Sequence, residues 1–207
     1  MKKILLVVLL AGCLVGFGQA NALADTITIF DVSYSGGQPY SGVVASNPAN
    51  TVAVSFDLVT DIGGLQGFCV EGTQFINIPP PQIFNKLAVN GPDEIKAAYV
   101  AQTYFDGGFN GLLGGSADDV EAAAQYAIWQ LVEPVSSVAA SWAPIATAML
   151  TAADTAVNAG FTGVNWFILS NETSQDFIAK IPEPSTLLLI GLGLVGLAGL
   201  SRRRIKG

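Results

Sequence analysis

Apolar residues are distributed very unevenly along this chain of 207 residues, with an uninterrupted apolar run near each end. That segregation decides which part can fold in water. At the start, Met1-Lys2-Lys3 is positively charged and Ile4 to Phe17 is apolar, broken only by small residues. Ala22-Leu23-Ala24 then forms an A-x-A cleavage site before Asp25. This order reads as a secretory signal over residues 1–24, removed on export by the Sec pathway. At the other end, Leu187 to Leu200 is built only from Leu, Ile, Val, Ala and Gly, followed by Arg202, Arg203, Arg204 and Lys206. The run is short of the roughly 20 residues of a comfortable membrane span. The basic cluster would hold its end on the cytoplasmic side. The part left to fold is residues 25–181.

Both ends carry recognisable motifs. Leu10-Ala11-Gly12-Cys13 resembles a bacterial lipobox, an alternative that would place a lipid on Cys13 and leave a very short signal. The segment 182–207 opens with Pro182-Glu183-Pro184, continues into the thin apolar helix and ends in the arginine cluster. This three-part order resembles the PEP-CTERM sorting signal of Gram-negative bacteria. The resemblance implies a transient stay in the inner membrane, removal of the tail by exosortase, and delivery to the cell surface or extracellular matrix. It supplies an address rather than an activity.

Without its ends the chain is strongly acidic. Residues 25–181 hold fifteen Asp and Glu against Lys86, Lys96 and Lys180, a net charge of −12 where the whole chain has −7. Such a surface repels phosphate backbones, which excludes nucleic acid as a partner. It allows long-range attraction to basic partners. The chain has no histidine, so Ser-His-Asp and Cys-His pairs and His-containing zinc sites are excluded. No metal or cofactor is implied, and without a recognisable acid pair a carboxylate-based glycosidase is disfavoured. One cysteine, Cys69, remains in the exported part, which is unusual for an exported protein.

Periodicity predicts α+β organisation, a β-rich sandwich or barrel-like frame with an inserted helical subdomain. Residues 26–32 and 51–58 alternate as strands, 67–70 reads as a short buried strand, and 162–169 and 176–181 return to strand character. Ser35 to Pro39 and Asp61 to Gly64 read as turns, and Ile78-Pro79-Pro80-Pro81 as an extended connector. Pro92 opens a helix to Phe105. Ser116 with Asp119 forms a capping-box start for a helix to about Val132. A third helix spans about Pro144 to Ala159. Trp142, Trp166 and Phe167 are expected in the core.

Two segments carry chemistry together: Phe68-Cys69-Val70-Glu71 and Ala124-Gln125-Tyr126-Ala127-Ile128-Trp129. They resemble the thioester domains of bacterial surface adhesins of the TQxA type. The resemblance implies that Cys69 joins Gln125, with Phe68, Glu71, Tyr126 and Trp129 lining the site. Ala124 departs from the family, which has threonine there. The chemistry is direct: a thiolate attacks the Gln125 carboxamide and expels ammonia. An amide is a poor electrophile, so proximity must supply much of the rate, up to roughly 7–11 kcal/mol. The product would be shielded from water until an amine, such as a lysine or polyamine on a surface or matrix molecule, attacks it. The protein would then be a covalent adhesion or matrix-attachment module and not an enzyme. The alternative is a non-covalent structural protein of the biofilm or extracellular polysaccharide layer, with Cys69 and Gln125 as plain core residues. Thr73-Gln74 is a second Thr-Gln pair but lacks the trailing Ala and Trp. Asp118, Asp119 and Glu121 lack the spacing of a calcium loop and fit helix capping.

Overall fold

Alternating strands with one apolar face must cover that face, and here they do so by curling on themselves. The computed structural model describes residues 25–34, 38–44, 47–71, 81–133 and 140–182, with backbone alone for 38–44 and 47–52. Six antiparallel strands close a barrel in the order β1-β4-β5-β8-β7-β6, and β6 pairs back onto β1. They are β1 Thr26–Ser33, β4 Ser55–Thr60, β5 Gly63–Cys69, β6 Gln82–Ala88, β7 Trp166–Asn171 and β8 Ser174–Lys180. Between β1 and β4 the chain makes a separate hairpin of β2 Gln38–Val44 and β3 Asn47–Ala53. Closure gives each of the six barrel strands a neighbour on both sides.

The barrel interior is filled by inward-facing apolar side chains. Ile27 and Ile29 come from β1, Phe56 and Leu58 from β4, Phe84 from β6 and Phe177 from β8, all buried. Phe177 meets Phe56 edge-on at 5.7 Å between ring centres. Outward positions on the same strands are open: Val59 and Ile83 are exposed. The β4–β5 hairpin turns on Asp61-Ile62, and the Thr60 hydroxyl donates to the Gly63 carbonyl at 2.6 Å. Gly63 has φ +115°, a conformation that a side chain would strain.

Three helices fill the connection from β6 to β7. They are α1 Pro92–Phe105, α2 Ala117–Val132 and α3 Ala143–Asn158. Each start has a local reason. At α1, Pro92 sits in the first turn and the Glu94 carboxylate accepts from the Asn90 and Gly91 N–H groups at 2.9 and 3.0 Å. At α2, the Ser116 hydroxyl accepts from Asp119 N–H at 3.2 Å while the Asp119 carboxylate accepts from Ser116 N–H, a reciprocal capping box. The α2 helix is buried continuously from Val120 to Trp129. Its small residues Ala122, Ala123, Ala124 and Ala127 allow close neighbours all round.

The β-rich frame with a helical insertion is therefore the observed architecture, resolved in favour of a barrel. The three helices lie within a residue or two of their expected bounds. Four strand readings need correction, one of them the strand read from residue 162, which begins only at Trp166. The single strand read over 51–58 is two elements, because the chain leaves the β2–β3 hairpin and enters the barrel at Val54. Gly63 and Gly64, read as a turn, belong to a longer β5. The Gln38 and Pro39 positions, read as turn, lie in β2. Strand β6 had no sequence reading. Trp142 and Trp166 are buried, while Phe167 is half-buried beneath the Lys86 ammonium, 5.1 Å from its ring centre. The signal segment with Cys13, most of the proline connector, Thr73-Gln74 and the apolar tail with Glu183 and Pro184 lie outside the described residues.

Candidate functional site

Strand β5 runs out of partner on one side before it ends. Phe68 stands opposite Ser55, the first residue of β4. On the other side the pairing to β8 continues, with Cys69 opposite Phe177 and the Val70 N–H donating to the Asp176 carbonyl at 3.0 Å. Antiparallel ladders bond alternate residues to alternate sides. The backbone groups of Cys69 therefore face the side where β4 has not yet begun. Two buried backbone groups without partners would each cost about 1–3 kcal/mol.

Gln125 of α2 fills that gap. Its Oε1 accepts from the Cys69 N–H at 3.0 Å, and its Nε2 donates to the Cys69 carbonyl at 2.7 Å. The carboxamide bonds as the next peptide unit of β4 would. Gln125 is 0% exposed and Cys69 2%. One helical turn earlier, Glu121 does the same for the start of β4: its carboxylate accepts from the Ser55 N–H at 3.0 Å and from the Ser55 hydroxyl. Residues four apart share a helix face, so one stripe of α2 holds both strand ends. The Tyr104 hydroxyl joins this group, hydrogen-bonded to Ser55 and Glu121. Burial and the Glu121 charge push Tyr104 up to about 12.

The two residues singled out in the sequence are thus in direct contact, 56 positions apart in the chain. The surroundings are apolar. Phe68 points away from the barrel interior into the helical core, packed by Tyr104 and Phe105 with ring centres 5.2 Å away in each case. Tyr126 is buried edge-on to Trp142 at 5.1 Å, and Trp129 is buried one turn after Gln125. Cys69 is a buried free thiol in the barrel cluster. Burial pushes its ionisation well above the ordinary thiol value, and the nearby Glu71 carboxylate adds to the shift.

Glu71 belongs to an acidic group that the sequence reading did not assemble. A cavity of about 500 Å³ is lined by Glu71, by Asp93 and Glu94 at the start of α1, by Glu133 at the end of α2, and by Asp176 of β8. Burial raises Glu71 above the usual carboxylate range, and the charges of Asp176 and Glu133 raise it further against a lowering backbone hydrogen bond from Asp176. Asp176 is also raised, chiefly by burial, although Asn171 N–H donates to it at 2.8 Å. Glu133 and Asp176 are far from Glu71 in sequence, so only the fold joins them. Asp119 is used in helix capping and Glu121 in holding β4. Among the described residues no cluster suited to a metal ion occurs.

The comparisons with known proteins bear on the tail. A family described as the PEP-CTERM protein-sorting motif matches residues 180–204. That motif marks an exported protein, handled by exosortase at the membrane and destined for the cell surface. Among the described residues no helix is long and apolar enough to cross a membrane, and the Leu187–Leu200 run lies outside them. No curated protein and no solved structure matches the chain.

Proposed function

We propose that the domain is a single-use covalent binding module, in which Cys69 and Gln125 form a thioester that an amine on a target later opens. The observation that carries this reading is the two-point grip of the Gln125 carboxamide on the Cys69 backbone. It brings the Gln125 carboxamide against the backbone of the residue that carries the thiol, and it supplies a donor to the atom that needs one. When sulfur attacks the carboxamide carbon, negative charge develops on Oε1, which already accepts the Cys69 N–H at 3.0 Å. A preorganised donor of this kind stabilises an oxyanion in a water-excluded site. The carbon–nitrogen bond then breaks, nitrogen leaves as ammonia with the thiol proton, and a thioester remains. An incoming primary amine reverses the roles: it takes the acyl group, and Cys69 leaves as a thiol. Burial of both residues keeps hydrolysis slow.

The targets are amine-bearing surface or matrix molecules, lysine side chains or polyamines, reached after export in a Gram-negative bacterium. The acidic surface suits cationic targets. Ala124, in place of threonine, is fully buried against the helical core. The second reading is a non-covalent structural matrix protein, favoured by the fact that the same two hydrogen bonds also complete the ladder at β5. An intact mass separates them. The purified exported protein is expected to weigh one ammonia less than its processed sequence and to form an adduct with methylamine that Cys69→Ala abolishes. A mass equal to the calculated one, with no adduct, leaves the structural reading.

A further inference from the structure

The thioester reading leaves one chemical requirement unassigned. The buried thiol is protonated, so attack on Gln125 needs an acceptor for its proton, and departing nitrogen needs that proton back. The chain has no histidine to do this. The acidic groups around the pair differ in what they are already doing. Glu121 is committed to the Ser55 N–H and hydroxyl. Asp176 is committed to Asn171 N–H and the Ser170 side chain. Asp93 pairs with Lys96 at 3.3 Å, and Glu94 caps α1. Glu133 lies at the end of α2 and lines the cavity.

Glu71 is placed differently. It lies two residues beyond Cys69, at the open end of β5. A backbone hydrogen bond from Asp176 anchors its carboxylate, while its Oε2 is buried and accepts no hydrogen bond. Its main chain is anchored too, since the Gln175 side chain donates to the Glu71 carbonyl. The side chain lines the 500 Å³ cavity, whose lining includes no basic residue. A buried carboxylate oxygen with an open lone pair costs stability, and this one is retained two residues along the chain from Cys69.

We propose that Glu71 is the proton carrier of the Cys69–Gln125 pair. This rests on the thioester reading. In bond formation the thiol proton passes to Glu71, sulfur adds to the Gln125 carbonyl carbon, and Glu71 returns the proton to Nε2 as ammonia departs. In target capture Glu71 takes a proton from the attacking amine nitrogen and returns it to the leaving sulfur. Neither step consumes anything beyond the amine. The raised ionisation of Glu71, set by burial and by Asp176 and Glu133, brings its basicity closer to that of the groups it serves.

The test compares the exported protein with Glu71→Gln and Glu71→Asp by intact mass and by the rate of methylamine coupling across pH. Positioned general acid–base groups contribute typically about 10²–10⁴-fold. Glu71→Gln is expected to be recovered largely without the ammonia loss, and its bonded fraction to couple about 100-fold or more slowly. Glu71→Asp should restore part of the rate. In the unsubstituted protein, coupling should fall as pH drops through the raised Glu71 range, beyond the fall due to protonation of methylamine itself. Glu71→Gln should lose that extra inflection, which a merely structural role would not move. Ammonia loss and coupling in Glu71→Gln at the unsubstituted rate overturn the role of Glu71 while leaving the thioester intact. Absence of ammonia loss in the unsubstituted protein overturns the thioester reading itself. If Glu71→Gln does not fold, the pH profile of the unsubstituted protein decides, and a profile without the extra inflection overturns the proposal.

Discussion

The barrel interior and the seam where α2 meets the barrel end are both buried, yet they are built on opposite rules. The interior is apolar: Ile29, Leu58, Phe84, Leu169 and Phe177 fill it by shape and volume. The seam puts Glu121 and Gln125 into a buried stretch of α2 that is otherwise alanine, aliphatic and aromatic. An apolar interior gains from every contact and tolerates small adjustments of angle. A buried carboxamide tolerates few, because both its ends need partners in one geometry. The seam thus sacrifices some apolar burial for register: it fixes Gln125 against Cys69 and Glu121 against Ser55. On the proposed thioester reading, a site that holds an electrophile near a thiol needs that kind of placement more than it needs stability.

The comparison can be broken at either end. The largest loss is expected for Phe177→Ala, which removes a ring shared with Phe56 and Phe84 and leaves a cavity in the barrel. Core phenylalanine truncations cost about 3–5 kcal/mol, measurable by denaturant unfolding. The seam should cost less and for a different reason. In a Cys69→Ala background, which excludes any covalent bond, Gln125→Ala strips partners from two buried backbone groups of residue 69. Water can enter the space the side chain vacates, so the expected loss relative to Cys69→Ala alone lies in the lower part of the about 2–6 kcal/mol that two such groups allow. If that loss is near zero, the carboxamide is not fixing the seam and the contrast fails. The smallest effect is a pH dependence of stability. Glu71 and Asp176 have folded-state values raised above the ordinary carboxylate range. In the window between ordinary and raised values the folded state binds more protons than the unfolded one. Stability should therefore fall as pH rises through that window, and Glu71→Gln should flatten the fall. Unfolding midpoints taken from mildly acidic to neutral pH would show it.

Parts of this architecture are legible in the chain because their causes are local. The Ser116–Asp119 capping box, Pro92 in a first turn and the alternation of residues 26–32 are each decided within a few neighbours. Strand β6 escaped notice because its apolar residues fall on both faces: Phe84 is buried, while Ile83 and Leu87 are exposed. Gly63 and Gly64 of β5 read as turn, whereas Gly67, read as strand, is a glycine because β8 comes close. A Cβ at Gly67 would stand 2.8 Å from the Ile178 carbonyl oxygen. The break at Val54 is invisible to periodicity, since both flanking strands alternate and only their partners differ.

For the site, the sequence by itself determined the ingredients: a single cysteine within residues 25–181, a glutamine in the middle of a helix, no histidine, and a tail that directs the chain to the cell surface. It also set the α2 helix and hence which residues share the Glu121–Gln125 stripe, because helix periodicity is a local property. Tertiary structure alone decided that β4 begins one residue too late to pair with Cys69, leaving a gap that a carboxamide fills. It alone gathered Glu71, Glu133 and Asp176 around one cavity. Both outcomes depend on barrel closure, where strand lengths and register are set by distant partners.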